Sequence, residues 1–158
     1  MNAALETRGL CKSFGALTVA ENIDFRLEAG ARNISIELPL QGIADAHGDR
    51  ELLHRAIENV VRNAVRFSPD GGRVIVTAQP GDAGYTICVQ DQGPGVPPEL
   101  LQRIFEPFYR VESARDRDSG GNGIGLAIAA RVFDRHHGSV RADNIDPHGL
   151  RVSMRLPT

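Results

Sequence analysis

A chain of 158 residues, 41% hydrophobic and 24% charged, has the size and make-up of one globular domain. It is long enough to bury roughly two thirds of its unfolded surface, and too apolar for a disordered tail. Its 18 basic and 20 acidic residues leave a net charge of -2, so no long-range field draws nucleic acid; with 5% aromatics and no Trp there is no base-stacking platform either.

The first 33 residues read ambiguously. Residues 5–10 suit a short strand, and 17–27 suit an alternating strand or a marginal helix. Ile34 to Leu38 alternates as a strand and is stopped by Pro39. Asp49 then stands as an N-cap before RELLHRAIENVVRNAVRF, and Ser68-Pro69-Asp70-Gly71-Gly72 closes that helix. At about 100° per residue, Leu53, Ala56, Ile57, Val60, Val61 and Ala64 share one face, while Arg55, Asn59, Asn63 and Arg66 share another. Arg73 to Gln79 and Tyr85 to Gln90 predict a strand hairpin, and Pro98 to Ile104 a short helix. Asn122 to His136 predicts a second long helix stopped by Gly138; Ser139 to Ala142 and Leu150 to Leu156 predict the last strands. Hairpin strands without regular βαβ alternation favour an α+β fold, a two-layer sandwich of a mixed, mostly antiparallel sheet with helices on one face.

Two cysteines, Cys11 and Cys88, cannot form a disulfide framework and lack metal-ligand spacing, which suits a reducing compartment. Cys88 reads as a buried core thiol. No leader pattern and no run of about 18 apolar residues is visible, so no membrane contact is expected of this chain.

Four polar clusters could carry chemistry. Asn59 and Asn63, four apart in a helix where Asn is a mediocre former, point the same way; amide oxygens are hard ligands suited to Mg²⁺ that keeps its waters and takes phosphates. Arg66 follows one turn on, where a guanidinium could grip phosphate. Asp91 ends a strand and could accept from an exocyclic amine such as that of adenine, with Gly93 and Gly95 allowing backbone to approach a flat ring. Gly121-Asn122-Gly123-Ile124-Gly125 opens a helix and could present N–H groups to phosphate; no strand precedes it directly and no P-loop Lys is present, so neither a Rossmann nor a Walker reading fits. Phe105-Glu106-Pro107-Phe108-Tyr109-Arg110, followed by a charged stretch, suits a lid with aromatic anchors. Each cluster alone is equally at home in a solvated face, a turn or a packed loop.

Their order and spacing are specific. IENVVRNAVRFS, DQGPGVP, FEPFYR and SGGNGIGLAIA resemble the N box, first G box, F box and second G box of the catalytic ATP-binding domain of sensor histidine kinases, the Bergerat fold, over about residues 33–158. The resemblance implies ATP and Mg²⁺ as ligands, with Asn63, and Asn59 beside it, at the metal. Asn59 stands where gyrase-type ATPases carry a water-activating glutamate; Glu58 is turned about 100° away and is not assigned as a base. Arg62 and Arg66 become phosphate contacts, Phe67 flanks the adenine and Asp91 binds its amine. Gly93 and Gly95 shape the base pocket; Gly121, Gly123 and Gly125, with Leu126 beside them, shape the phosphate turn and lid hinge. Phe105, Phe108 and Tyr109 anchor the lid, with Arg110 near the phosphates.

The family phosphorylates a histidine on a separate helical hairpin that dimerises, and hands the phosphoryl group to a response regulator. None of His47, His54, His136, His137 and His148 has the acceptor setting, and His54 reads as surface. The expected location is cytoplasmic, since relatives are membrane-anchored with this domain inside. Residues 5–32 resemble instead the opening of an ABC transporter ATPase subunit, with Phe14 at the adenine-stacking aromatic. No Walker A loop follows, so residues 1–32 read as a grafted start, with 5–10 recruited as an edge strand and 20–29 as a helix. The sequence therefore predicts a nucleotide-binding catalytic module that needs a histidine in trans. A non-catalytic binding module left by fusion is the rival, and a gyrase-like ATPase the third reading.

Overall fold

A computed structural model describes residues 13–14, 17–18, 30, 32–39, 48–81, 84–111 and 122–157. The strand expected over 5–10 and the helix expected over 20–29 lie outside these residues, as do most of the residues that carry the ABC transporter likeness. Strand β1 (Ser13–Phe14) pairs antiparallel with β2 (Leu17–Thr18) as a hairpin separate from the main sheet. The main sheet has five strands: β3 (Ser35–Glu37), β4 (Arg73–Gly81), β5 (Gly84–Gln90), β6 (Ser139–Asn144) and β7 (Leu150–Leu156). Their order is β3-β4-β5-β7-β6; β3 runs parallel to β4 and every other pair is antiparallel. The expected α+β two-layer architecture is what forms.

Helix α1 (Arg50–Phe67) has the bounds its periodicity gives. The Asp49 carboxylate accepts from the backbone N–H groups of Glu51 and Leu52, which satisfies two of the donors a helix start leaves open. Its predicted apolar face is buried in full, together with Val65. Helix α2 (Gly125–Arg135) starts three residues later than expected, because Asn122 to Ile124 form the turn before it. It buries Ala129, Val132 and Phe133. Both helices lie on one face of the sheet, α1 against β4 and β5, α2 against β6 and β7, and they pack on each other. The expected short helix at Pro98 to Ile104 resolves into two single 3₁₀ turns, Pro98–Leu100 and Arg103–Phe105.

Period-two alternation sends Val74, Val76, Ala78, Ile87, Val89, Val152, Met154 and Leu156 to the helix side. Cys88 lies between Ile87 and Val89 and therefore points to the other face. It is half-buried there, with Sγ 3.5 Å from Ser153 Oγ, and is not the core thiol that its apolar neighbours suggest. The helix ends are also joined: the Asp49 N–H donates to His136 Nε2 at 2.9 Å, and His136 Nδ1 lies 2.7 Å from the Val132 carbonyl.

Phe133 is fully buried between the layers. Phe133→Ala should therefore cost about 3–5 kcal/mol, read as a shifted urea midpoint at unchanged slope. A loss under about 1 kcal/mol would mean that this layer is not closely packed.

Candidate functional site

The C-terminal half of α1, the turn after β5, the start of α2 and the end of β7 nearest Leu150 enclose a cleft of about 760 Å³. One side of the wall comes from α1, as Asn59, Arg62, Asn63, Val65, Arg66 and Phe67. A second comes from the β5 turn, as Asp91, Pro94, Gly95 and Val96. A third comes from Tyr109, Arg110 and the stretch from Asn122 to Leu126. The polar face of α1 and its buried face are thus two sides of one helix, the second holding the first in place.

Asp91 is the chemically loaded residue. It is 4% exposed, in a wall that also includes Val65, Pro94, Val96 and Leu150. Its Oδ1 accepts from Gly93 N–H at 2.8 Å and from Leu150 N–H at 3.1 Å. Both hydrogen bonds fall on one oxygen, so the second keeps its acceptor capacity for a ligand. Burial pushes the carboxyl above the ordinary carboxylate range, opposed by the two backbone donors. Gly93 must be glycine for space: a Cβ would sit 2.7 Å from the Phe67 carbonyl oxygen. Gly95 has φ +75, and a Cβ there would meet Asn144 Oδ1 at 2.7 Å.

At the other end, α2 begins without a side-chain cap. Its first N–H groups stand at the positive end of the helix dipole beside Asn59, whose Oδ1 lies 3.6 Å from where a Cβ on Gly125 would be. Arg62, Arg66 and Arg110 are in the same wall. Glu58 is not; it pairs with Arg62 at 2.8 Å. Among the described residues no group of three His, Cys, Asp or Glu could hold a metal. The donors present are the Asn59 and Asn63 amides, which fit a Mg²⁺ that brings water and phosphate as its other ligands.

The expected site residues divide as follows. Asn59, Arg62, Asn63, Arg66, Phe67, Asp91, Gly95, Tyr109, Arg110, Gly123, Gly125 and Leu126 all line the cleft. Gly93 lies just behind the wall, under Phe67. Phe105 packs on the core edge, and Tyr109 carries the Arg103 guanidinium 4.2 Å above its ring. Phe108 is 77% exposed, at φ 64, outside the wall; its N–H bonds the Gly123 carbonyl. Gly121 and the charged stretch before it lie outside the described residues. His54 is half-buried with Nε2 enclosed, where a surface position was expected.

Sequence reasoning passed over Arg32, Asn144, Gly149 and Leu150. Asn144 Oδ1 accepts from Val96 N–H at 2.9 Å, and its Nδ2 donates to Val96 O at 2.7 Å, pinning the β5 turn to β6. A Cβ on Gly149 would run into the Asp91 carbonyl. A glycine directly before a strand was the only signal available for that contact.

The model for histidine kinase-, DNA gyrase B-, and HSP90-like ATPases matches residues 48–158. The sensor histidine kinase CpxA of Escherichia coli K12 is 40% identical over 139 residues, 88% of this chain and 30% of that protein. The structure of the mycobacterial sensor histidine kinase MprB superposes with a TM-score of 0.75 at 37% identity, covering 84% of this chain and 90% of that one. Full-length ShkA, solved in complex with AMPPNP, gives 0.71 at 27% identity, covering 89% of this chain and 31% of that one. The chain thus spans under a third of the length of the curated relatives it matches.

Because the folded state holds the Asp91 proton more tightly than the unfolded chain, its contribution to stability is greatest below the ordinary carboxylate pKa of about 3.9. That contribution declines as pH rises through the raised folded value. At neutral pH the buried charge is a cost. Asp91→Asn, which still accepts both N–H groups, should melt as high as the parent or higher at pH 7, with the advantage gone at acid pH. A lower melting temperature at pH 7 would show that the two charge-assisted hydrogen bonds outweigh the burial.

Proposed function

The chain belongs to the histidine kinase-, DNA gyrase B- and HSP90-like ATPase family, and from that membership we propose that it is the ATP-binding catalytic module of a two-component sensor histidine kinase. It positions Mg·ATP for transfer of the γ-phosphoryl group to a histidine supplied by another domain or chain. The observation that carries the reading is Asp91: a buried carboxylate with one oxygen spent on backbone and one unspent, in the wall of a cleft whose far end is an uncapped helix start. That polarity fits a base with an exocyclic amine at one end and a chain of phosphates at the other.

In this reading Asp91 accepts from the adenine amine, while Gly93 and Gly95 let the turn lie close to the ring, with Phe67 flanking it. Asn63, with Asn59, holds a Mg²⁺ through amide oxygens; the ion neutralises phosphate charge when bound. Arg62, Arg66 and Arg110 and the N–H groups from Gly123 to Leu126 balance the remaining charge. Phosphoryl transfer asks the protein mainly for placement and charge stabilisation, and needs no covalent protein intermediate. The cleft wall holds no carboxylate on α1, since Glu58 is engaged with Arg62. That favours a kinase over a water-activating ATPase. Phe105, Phe108 and Tyr109 would anchor a lid running through Gly121.

By family, the partners are a dimerising helical hairpin that carries the acceptor histidine and a response regulator, and the domain works in the cytoplasm. No helix among the described residues is long and apolar enough to cross a membrane. Among the described residues no histidine lines the cleft, which favours, as a second reading for the chain by itself, a module that binds nucleotide without turnover. The resemblance of residues 5–32 to an ABC transporter subunit remains a proposal about origin and gives this chain no Walker chemistry.

Calorimetric titration with ATP and Mg²⁺ should give saturable binding that Asp91→Ala abolishes; Asn63→Ala should weaken the Mg²⁺-dependent part. A folded parent chain that shows no saturable binding refutes the reading. Addition of a separately prepared acceptor hairpin with labelled ATP should label the histidine. Phosphate release without any acceptor would identify a hydrolase, and binding without either product the non-catalytic module.

A further inference from the structure

The end of α1 is held by a residue outside both the helix and the family-matched segment. A helix leaves its last four carbonyls without intrahelical partners. Here Ala64 O takes the N–H and the hydroxyl of Ser68. Val65 O and Arg66 O take Arg32 Nη1 at 3.2 and 3.0 Å. Arg32 Nη2 donates to Ser68 O at 2.6 Å, and Nε pairs with Asp70 at 2.6 Å. Four of the five guanidinium N–H groups are therefore committed to one short stretch of chain, with a cation set at the negative end of the helix dipole. The fourth carbonyl, Phe67 O, is the one that lies over Gly93, and Gly93 N–H is a donor to Asp91 Oδ1.

We propose that Arg32 is a positioning residue for the base end of the cleft: by fixing the C-terminal turn of α1 it fixes Phe67 above Gly93, and through Gly93 the place of the Asp91 carboxylate. Arg32 also borders the cleft itself. The Asn63 and Asn59 amides lie one and two turns back along α1, within its regular hydrogen bonding, and do not depend on the clamp. The inference rests on the ATP-binding reading and adds to it a division of labour: the helix end serves chiefly the base, with Arg66 the one phosphate contact it carries, and the helix middle serves the metal and the phosphates.

The test measures affinities for ATP, AMP and inorganic tripolyphosphate, all with Mg²⁺ and well below the melting temperature of each variant. Arg32→Ala should weaken ATP and AMP by a common factor of about ten, the scale of one misplaced charge-assisted hydrogen bond, and tripolyphosphate by a clearly smaller factor, since on the held turn only Arg66 faces the phosphates. Asp70→Asn, which leaves the carbonyl contacts intact, should bind all three as the parent does. Arg32→Lys keeps a cation but not the fork, and carries the test if the alanine variant does not fold: its AMP affinity should fall by more than its tripolyphosphate affinity. Unchanged AMP affinity in a folded Arg32 variant overturns the proposal. So does a parallel fall for AMP and tripolyphosphate, which would mark Arg32 as a general structural residue. A parent chain that binds no ATP refutes the functional reading itself, whereas a parent that binds ATP with Arg32 variants equal to it refutes only this inference.

Discussion

The pairing of Gln90 with Arg151 brings the next residue of one strand, Asp91, beside the preceding residue of the other, Leu150. There the two strands exchange one more pair of contacts: the Asp91 N–H donates to Leu150 O, and the Leu150 N–H is taken by the Asp91 carboxylate. The carboxylate is therefore an extension of the β5–β7 ladder, placed by register. A slip of one residue would move every inward side chain of β7 to the open face, so the core that holds Val152, Met154 and Leu156 inside also guards the position of one carboxylate oxygen in the cleft wall. Glycine at positions 93 and 149 lets the neighbouring chain come close enough for this to happen.

Helix α1 meets the same requirement from above. Its apolar stripe is pressed onto β4 and β5, and its amide and guanidinium stripe is thereby turned along the cleft. No separate device aims Asn59 and Asn63; their aim follows from which residues of the helix are hydrophobic. The start of α2 closes the far side without a capping side chain, a local cost borne at the edge of the cleft.

Local pattern made much of this legible. The bounds of α1, its Asp49 cap and the burial of six predicted apolar positions follow from composition and period alone, because a helix face is a short-range property. The hairpin of β4 and β5 was visible for the same reason. What stayed hidden depends on residues far apart in the chain. Arg32 reaches Val65, Arg66 and Ser68, and Asn144 reaches Val96, through contacts that no window of sequence contains. Cys88 misled because alternation gives two faces without saying which is inner; its apolar neighbours Ile87 and Val89 are the buried ones. The turns at Pro98 and Arg103 were read as one helix because proline at a first position and apolar residues at helical spacing do not reveal that the i→i+4 bonds fail to continue.

The strand order has a consequence for how such a chain comes into being. β7 is the last of the five strands in sequence, yet it lies inside the sheet, between β5 and β6. During synthesis from the N-terminus, β4 and β5 can pair as soon as both have left the ribosome, but Asp91 must wait for a donor 59 residues later. Until then β5 presents an open edge and β6 has no neighbour. The nascent chain can thus hold most of its helix and strand content, and most residues of the cleft wall, before the strand from Leu150 to Leu156 is made to fill the gap left for it and to bring the Leu150 N–H to Asp91.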